Sequence, residues 1–181
     1  MKIIETPLKD CFVIQPDVYL DARGYFLESF NKANFETLTG ISAHFVQDNQ
    51  SKSNKGVLRG FHFQINEYAQ TKLVRVAQGR VRDVVIDIRP DSPTFAQHFS
   101  IILDAEKHEQ LYIPRGFAHG FLVLEDNTIF SYKCDNYYSK ANERGIYFKS
   151  DALSINWDFP EKAVFLSEKD KNLPTFETYF K

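Results

Sequence analysis

The stretch Gly56–Gln64, GVLRGFHFQ, places a guanidinium, an imidazole and an amide within six residues, with apolar side chains between them. Flanked by Phe61 and Phe63, His62 has two readings. It is either a core histidine satisfied by one hydrogen bond, or a base in a pocket that binds an anion, with Arg59 three residues earlier. A second histidine, His119, stands in IPRGFAHGF, where Pro114 and Gly116 punctuate a loop before an apolar run. The Arg59-Gly60 pair reads as a glycine-bearing turn, so both histidines are expected at strand starts. In a small barrel such positions line the mouth, where ligands bind. His44, His98 and His108, and the two cysteines Cys11 and Cys134, fit no chemical pattern.

The elements that must position these residues are strands. Period-two alternation runs through Lys72–Ala77, breaks at Gln78-Gly79-Arg80 and resumes through Val81–Ile88, which reads as a hairpin. On its second strand Arg82, Val84, Ile86 and Ile88 share one face, and Val81, Asp83, Val85 and Asp87 the other. Further strand-like runs are Cys11–Gln15, Gly24–Phe30, His44–Gln50, Gln97–Leu103, Gln110–Ile113, Gly120–Glu125 and Thr128–Lys133. One clear helix is predicted over Asn31–Leu38, ending near Gly40. Many short strands at this spacing predict an all-β sandwich, jelly roll or barrel with a few short peripheral helices. No internal repeat or linker divides residues 1–181, so one domain is expected.

Composition limits the partners. Net charge is −2, which leaves no broad cationic field for nucleic acid or anionic lipid. Any anion site must be a local cluster of Lys and Arg. No window approaches the roughly 18 apolar residues of a membrane span, and MKIIETPLKDCF is unlike a secretory leader. Two cysteines are too few for a disulfide framework, and a cytoplasmic setting fits best. The aromatic content of 15% supplies strand cores and also flat walls for stacking.

The spacing Gly56-x5-His62-Phe63-Gln64, followed by Pro114-x-Gly116-x-x-His119, resembles the metal-binding pattern of cupin barrels. The second histidine of that pattern is Gln64 here, and a neutral amide is a weak ligand for a transition metal. The reading is a cupin-type jelly-roll barrel with no metal; a His–His–Glu site that uses Glu67 is the alternative. A second resemblance spans nearly the whole chain. DARGYFLESF, FVQDNQSKS, GVLRGFHFQ, TKLVRVAQG, DVVIDIRPDSPTF, LYIPRGFAHGF, YKCDNYY and LSEKD, in that order, resemble the dTDP-4-dehydrorhamnose 3,5-epimerase family.

That resemblance implies a homodimer that uses no cofactor. It implies epimerisation at carbons 3 and 5 of dTDP-4-dehydro-6-deoxy-D-glucose, a nucleotide-linked 4-keto sugar, in dTDP-L-rhamnose biosynthesis. By the match His62 is the base, Tyr132 the acid and Lys72 the cation at the enolate oxygen, while Asp170 pairs with His62. Arg23 and Arg59 match diphosphate contacts, and Phe26 and Tyr138 the rings that stack on the thymine. Glu28, Gln47, Asn49, His119, Glu143 and, to within one position, Lys169 match other substrate contacts; Asp83 matches an interior acid. The chemistry suits these types. Removing a proton beside a ketone needs a base near neutrality, the enolate needs a cation or donor, and inversion needs a second acid on the other face. The chain has no GxGxxG for a nicotinamide cofactor. Three alternatives stay open at this point: a single-carbon epimerase or ketoisomerase, another nucleotide sugar such as a GDP-heptose, and a non-catalytic sugar-binding cupin.

Overall fold

A computed structural model describes residues 1–181. Its strands are β1 (Lys2–Glu5), β2 (Phe12–Gln15), β3 (Val18–Asp21), β4 (Gly24–Leu27), β5 (Gln47–Ser53), β6 (Leu58–Gln64), β7 (Lys72–Gln78), β8 (Arg80–Asp87), β9 (His98–Asp104), β10 (Gln110–Ile113), β11 (Phe117–Val123), β12 (Thr128–Cys134) and β13 (Glu143–Gly145). The α-helices are α1 (Lys32–Thr39), α2 (Glu168–Lys171) and α3 (Phe176–Tyr179). A six-stranded antiparallel sheet runs in the order β1-β2-β10-β7-β12-β5, and a five-stranded one in the order β13-β6-β11-β8-β9. They face each other as a jelly-roll barrel, while β3 and β4 form a separate hairpin.

Strand alternation sorts the apolar side chains into three layers. Val74 and Val76 of β7, Val81 and Val85 of β8, Leu103, Phe121 and Phe130 meet inside the barrel. Val84, Ile86 and Ile88 point the other way, joining Leu58, Phe61 and Phe63 under a cover that includes Ile146, Trp157 and Phe176. Outside the six-stranded sheet, Phe12, Ile14, Leu73 and Tyr112 pack under Phe35 of α1. Each such side chain fully removed from water contributes about 1.5–3 kcal/mol, so both sheets are held from both faces. The two faces expected for Val81–Ile88 are the two faces observed.

The helix of the sequence reading is α1. Asn31 caps it by accepting from the Asn34 N–H, and Gly40 ends it in the left-handed region at φ 68°. The expected hairpin Lys72–Ile88 is corrected. Its two strands exist but do not pair: β7 lies between β10 and β12, and β8 between β11 and β9. Gly79, at φ 79°, carries the chain from one sheet to the other, tight against Thr128. Alternation reports burial on each strand and not which neighbour it bonds. The run Gly24–Phe30 ends early as the exposed strand β4, His44–Gln50 shifts to Gln47–Ser53, and β1, β3 and β13 had no counterpart among the expected runs.

Candidate active site

His62 is the fifth residue of β6, not the first after a turn, which corrects the expected strand start. His119 is likewise the third residue of β11. On β11, His119 pairs with His62 and Phe121 with Arg59, so three steps along β6 lie against two along β11. That extra residue is a β-bulge, and it falls at Gly60 with φ 114°. A Cβ there would meet Gly120 Cα and His119 O at 2.6 Å, so only glycine fits. Without a bulge, residues 59 and 62 would point to opposite faces. With it, both side chains reach the same cavity while Phe61 and Phe63 point into the outer core.

The cavity is about 720 Å³ and opens between the two sheets. The five-stranded sheet brings His62, Arg59 and His119, and the six-stranded sheet brings Lys72, Tyr132, Asn49 and Gln47. Asp170, on α2, sets Oδ1 2.6 Å from His62 Nε2, with 4% of its side chain exposed against 29% for His62. The imidazole Nε2–H donates to the carboxylate, leaving the Nδ1 lone pair free. Ser167 fixes the helix that carries Asp170 by accepting the Asp170 N–H at 3.1 Å. Burial alone would raise the Asp170 carboxyl, but hydrogen bonds from His62 and Ser167, with the His62 charge, outweigh it and hold the group below the usual carboxylate range.

On the facing sheet, burial pushes the Tyr132 phenol upward, with Cys134 and Glu143 adding to it against Arg59, so the hydroxyl keeps its proton at neutral pH. Burial also pulls the Lys72 ammonium down, opposed by Cys134, Asp83 and Glu143. Its Nζ donates across the cavity to the His62 carbonyl at 3.4 Å. One wall therefore carries a histidine backed by a carboxylate, and the other a neutral phenol and a desolvated amine. This arrangement can remove a proton from one side of a bound carbon, stabilise the anion and return a proton from the other side.

At the rim, Glu143 accepts from the Tyr138 hydroxyl at 2.9 Å and forms an ion pair with Lys169. Lys169 lines the cavity, whereas Lys171 pairs with Glu168. Gln47 donates to Asn49 at 2.9 Å and accepts from the Tyr138 N–H at 3.2 Å. Arg59 donates through Nε and Nη2 to Ser53 Oγ, leaving Nη1 free.

Eleven of the fifteen matched residues line this one cavity, namely Gln47, Asn49, Arg59, His62, Lys72, His119, Tyr132, Tyr138, Glu143, Lys169 and Asp170. Asp83 stands behind the wall on His119. Arg23, Phe26 and Glu28 do not reach the cavity of their own chain. Arg23 and Phe26 lie on the exposed β3–β4 hairpin, where Arg23 pairs with Asp21, and Glu28 accepts from Asn31. The sequence reading passed over Cys134, which lines the cavity and accepts from Asn49 Nδ2 at 3.7 Å. Its position two residues after Tyr132 on one strand was the available signal. Gln64 is buried, accepting from the Ser139 N–H, and Glu67 sits on a short 3-10 turn off the cavity wall. No three His, Cys, Asp or Glu side chains converge as a metal donor set. No helix is long and apolar enough to cross a membrane.

The family model described as dTDP-4-dehydrorhamnose 3,5-epimerase matches residues 5–178. A protein of that description from Shigella flexneri is 50% identical over 172 residues, covering 95% of this chain and 94% of its own length. The crystal structure of such an epimerase from Elizabethkingia anophelis superimposes with a TM-score of 0.94 at 53% identity, covering 98% of this chain and 97% of that one. A Legionella pneumophila dTDP-6-deoxy-D-glucose-3,5-epimerase, solved in complex with dTDP-4-keto-L-rhamnose, gives 0.93 at 45% identity, covering 97% and 93%.

Proposed function

This chain belongs to the dTDP-4-dehydrorhamnose 3,5-epimerase family, and we propose that it inverts carbons 3 and 5 of dTDP-4-dehydro-6-deoxy-D-glucose with its own side chains as base, acid and electrostatic support. The observation that carries the reading is the placement of His62 and Tyr132 on opposite sheets, facing one cavity. His62 Nδ1 takes the proton beside the ketone, and Asp170 supports the imidazolium. Lys72 meets the charge that moves to the ketone oxygen. Tyr132 then gives its proton to the far face. Arg59 Nη1 and Lys169 face the diphosphate, and Tyr138 gives the thymine a ring to stack on. No cofactor has a role in this scheme, and residues 1–181 act as one cytoplasmic domain.

The active species is a homodimer. The β3–β4 hairpin exposes Tyr19 (62%), Leu20 (81%), Tyr25 (58%) and Phe26 (66%), an apolar surface a lone chain rarely leaves open. The same hairpin holds Arg23 and Phe26 away from their own cavity, which suits delivery of both to the mouth of a second copy's cavity.

The test is incubation with the 4-keto sugar nucleotide in deuterated water, with deuterium read at carbons 3 and 5 by NMR. The parent chain labels and inverts both carbons. His62→Asn labels neither, while Tyr132→Phe still labels but inverts about 10²–10⁴-fold more slowly. Labelling at one carbon alone would make the chain a single-carbon epimerase. Inversion by Tyr132→Phe at the parental rate would remove the phenol from the mechanism.

A further inference from the structure

The cavity wall includes two glutamines outside the matched set, Gln64 and Gln70. Gln64 fills the place at which the metal-binding pattern of cupin barrels carries its second histidine. It follows His62 by two residues in unbroken register on β6, so both side chains face inward while Phe63 joins the outer core. Gln64 is 7% exposed, so each polar atom of its amide needs either a partner or an opening. Its Oε1 accepts from the Ser139 N–H at 3.3 Å. Gln70 is half-buried, and its Nε2 donates to the Asn136 carbonyl at 2.8 Å.

A backbone N–H can only donate and a backbone carbonyl can only accept, so these two bonds fix which way round each amide sits. Gln64 is left with a spare donor, Nε2, and Gln70 with a spare acceptor, Oε1. Neither atom has a protein partner, and neither is sealed off, because Arg82 Nε is the only fully buried side-chain nitrogen or oxygen left without one. Both therefore open onto the cavity that the two residues line. The two tethers belong to one segment, Asn136–Ser139, so a single piece of backbone orients both amides.

A hydroxyl is the one group of a sugar that both accepts and donates at a single oxygen. A ketone in its place would leave Gln70 unpaired, and a deoxy carbon would leave both amides unpaired. In the 4-keto-6-deoxy sugar of the proposed reaction, carbon 1 carries the diphosphate, carbon 4 the ketone and carbon 5 the ring oxygen. Hydroxyls remain on carbons 2 and 3, and of these only carbon 2 keeps its configuration while carbons 3 and 5 invert. We propose that Gln64 Nε2 and Gln70 Oε1 together hold the 2-hydroxyl, the first donating to it and the second accepting from it. Resting on the epimerase reading above, this makes the two glutamines specificity residues that anchor the ring at a carbon the reaction leaves unchanged.

The experiment compares deuterium uptake from dTDP-4-dehydro-6-deoxy-D-glucose and from its 2-deoxy analogue. The parent chain is expected to favour the 2-hydroxy substrate about tenfold to a hundredfold in kcat/KM. Gln64→Met and Gln70→Met each keep the length of the side chain and remove one of the two bonds. Each is expected to lose about tenfold on the 2-hydroxy substrate and little on the analogue, so the discrimination narrows in both. By calorimetry, dTDP, which has no sugar, is expected to bind both variants as it binds the parent. Equal losses on the two substrates, or weakened dTDP binding, would assign the glutamines to holding Asn136–Ser139 in place and overturn the proposal. If the parent chain labels both substrates equally well, this proposal alone falls. If it labels neither, the epimerase reading falls and this proposal with it. Should one variant fail to fold, the other decides, and should both fail, the discrimination shown by the parent chain decides.

Discussion

Replacing Asp170 with asparagine keeps the shape of the group that holds His62 and removes its charge. The carboxylate is 4% exposed and stands 2.6 Å from His62 Nε2, so it is a short, charge-assisted contact with one sealed partner. Hydrogen bonds to charged groups contribute about 1.5–3 kcal/mol. Because 29% of the His62 side chain is open to solvent, the lower end applies. The Asp170→Asn variant is expected to take up deuterium about tenfold more slowly, since about 1.5 kcal/mol less support for the charge that the ring gains on accepting a proton is about a factor of ten in rate. The asparagine amide oxygen still accepts the His62 Nε2–H, so dTDP binding by calorimetry is expected to be unchanged. Deuterium uptake at the parental rate would refute the electrostatic reasoning, and weakened dTDP binding would mean that the substitution disturbs the cavity as a whole.

Arg59→Ala deletes the free Nη1 and is expected to weaken dTDP binding about tenfold by calorimetry; equal binding would remove Arg59 from the phosphate site. Light scattering is expected near twice the 21.0 kDa of one chain. Mixed refolding of Arg23→Ala with His62→Asn chains is expected to restore activity, since one site in each mixed dimer pairs an intact His62 with the other chain's intact Arg23; no recovery would place Arg23 outside the partner's site. Gly60→Ala forces a side chain into the bulge at φ 114° and against Gly120. It is expected to cost at least about 1–2 kcal/mol, or roughly 2–8 °C in Tm, with activity lost more steeply than stability as Arg59 and His62 separate. Burial favours protonation of Asp87, but hydrogen bonds from Arg89, Ser92 and Thr94 outweigh it and hold the carboxyl below its usual range. The associated stability is present above the ordinary carboxylate value, about 4, and is lost as pH falls through the lower folded-state value. Calorimetry should show Tm dropping there, with a smaller drop in Asp87→Asn.

The types of the site residues were legible in the sequence, but the geometry that unites them was not. Alternation correctly assigned both faces of Val81–Ile88, because burial imposes the period two regardless of which strand lies alongside. It could not say that β7 and β8 sit in different sheets, since a tight glycine turn serves a hairpin and a sheet crossing equally well. GVLRGFHFQ was harder. A period-two reading places Arg59 and His62 on opposite faces, and Gly60 reads as a turn. The bulge is specified by the backbone of β11 pressing on Gly60, a contact 60 residues away in sequence (Gly120 against Gly60). Cys134 was missed for the opposite reason: its spacing from Tyr132 placed it in the cavity, but a cysteine without a metal or disulfide pattern gave no reason to look. Arg23, Phe26 and Glu28 mark a third limit, since a match to family contacts names residues without saying where the fold places them, and here they lie away from the cavity.

Under the proposed mechanism, the barrel suits inversion because of how it divides the labour. A base and an acid that serve opposite faces of one carbon must be held apart by the thickness of a sugar, and neither can drift toward the other. Here β6 and β12 belong to different sheets, each locked by its own ladder, so the separation of His62 and Tyr132 is set by packing of the barrel interior and not by a loop. The cation is placed by the same logic. Lys72 starts β7 on the sheet of Tyr132 and reaches toward the His62 carbonyl. Burying its ammonium costs free energy, and burial lowers it accordingly. In the proposed mechanism that cost is offset when negative charge develops on the ketone oxygen. There the amine contributes more to the enolate than to the neutral ketone, which is the difference that accelerates a reaction.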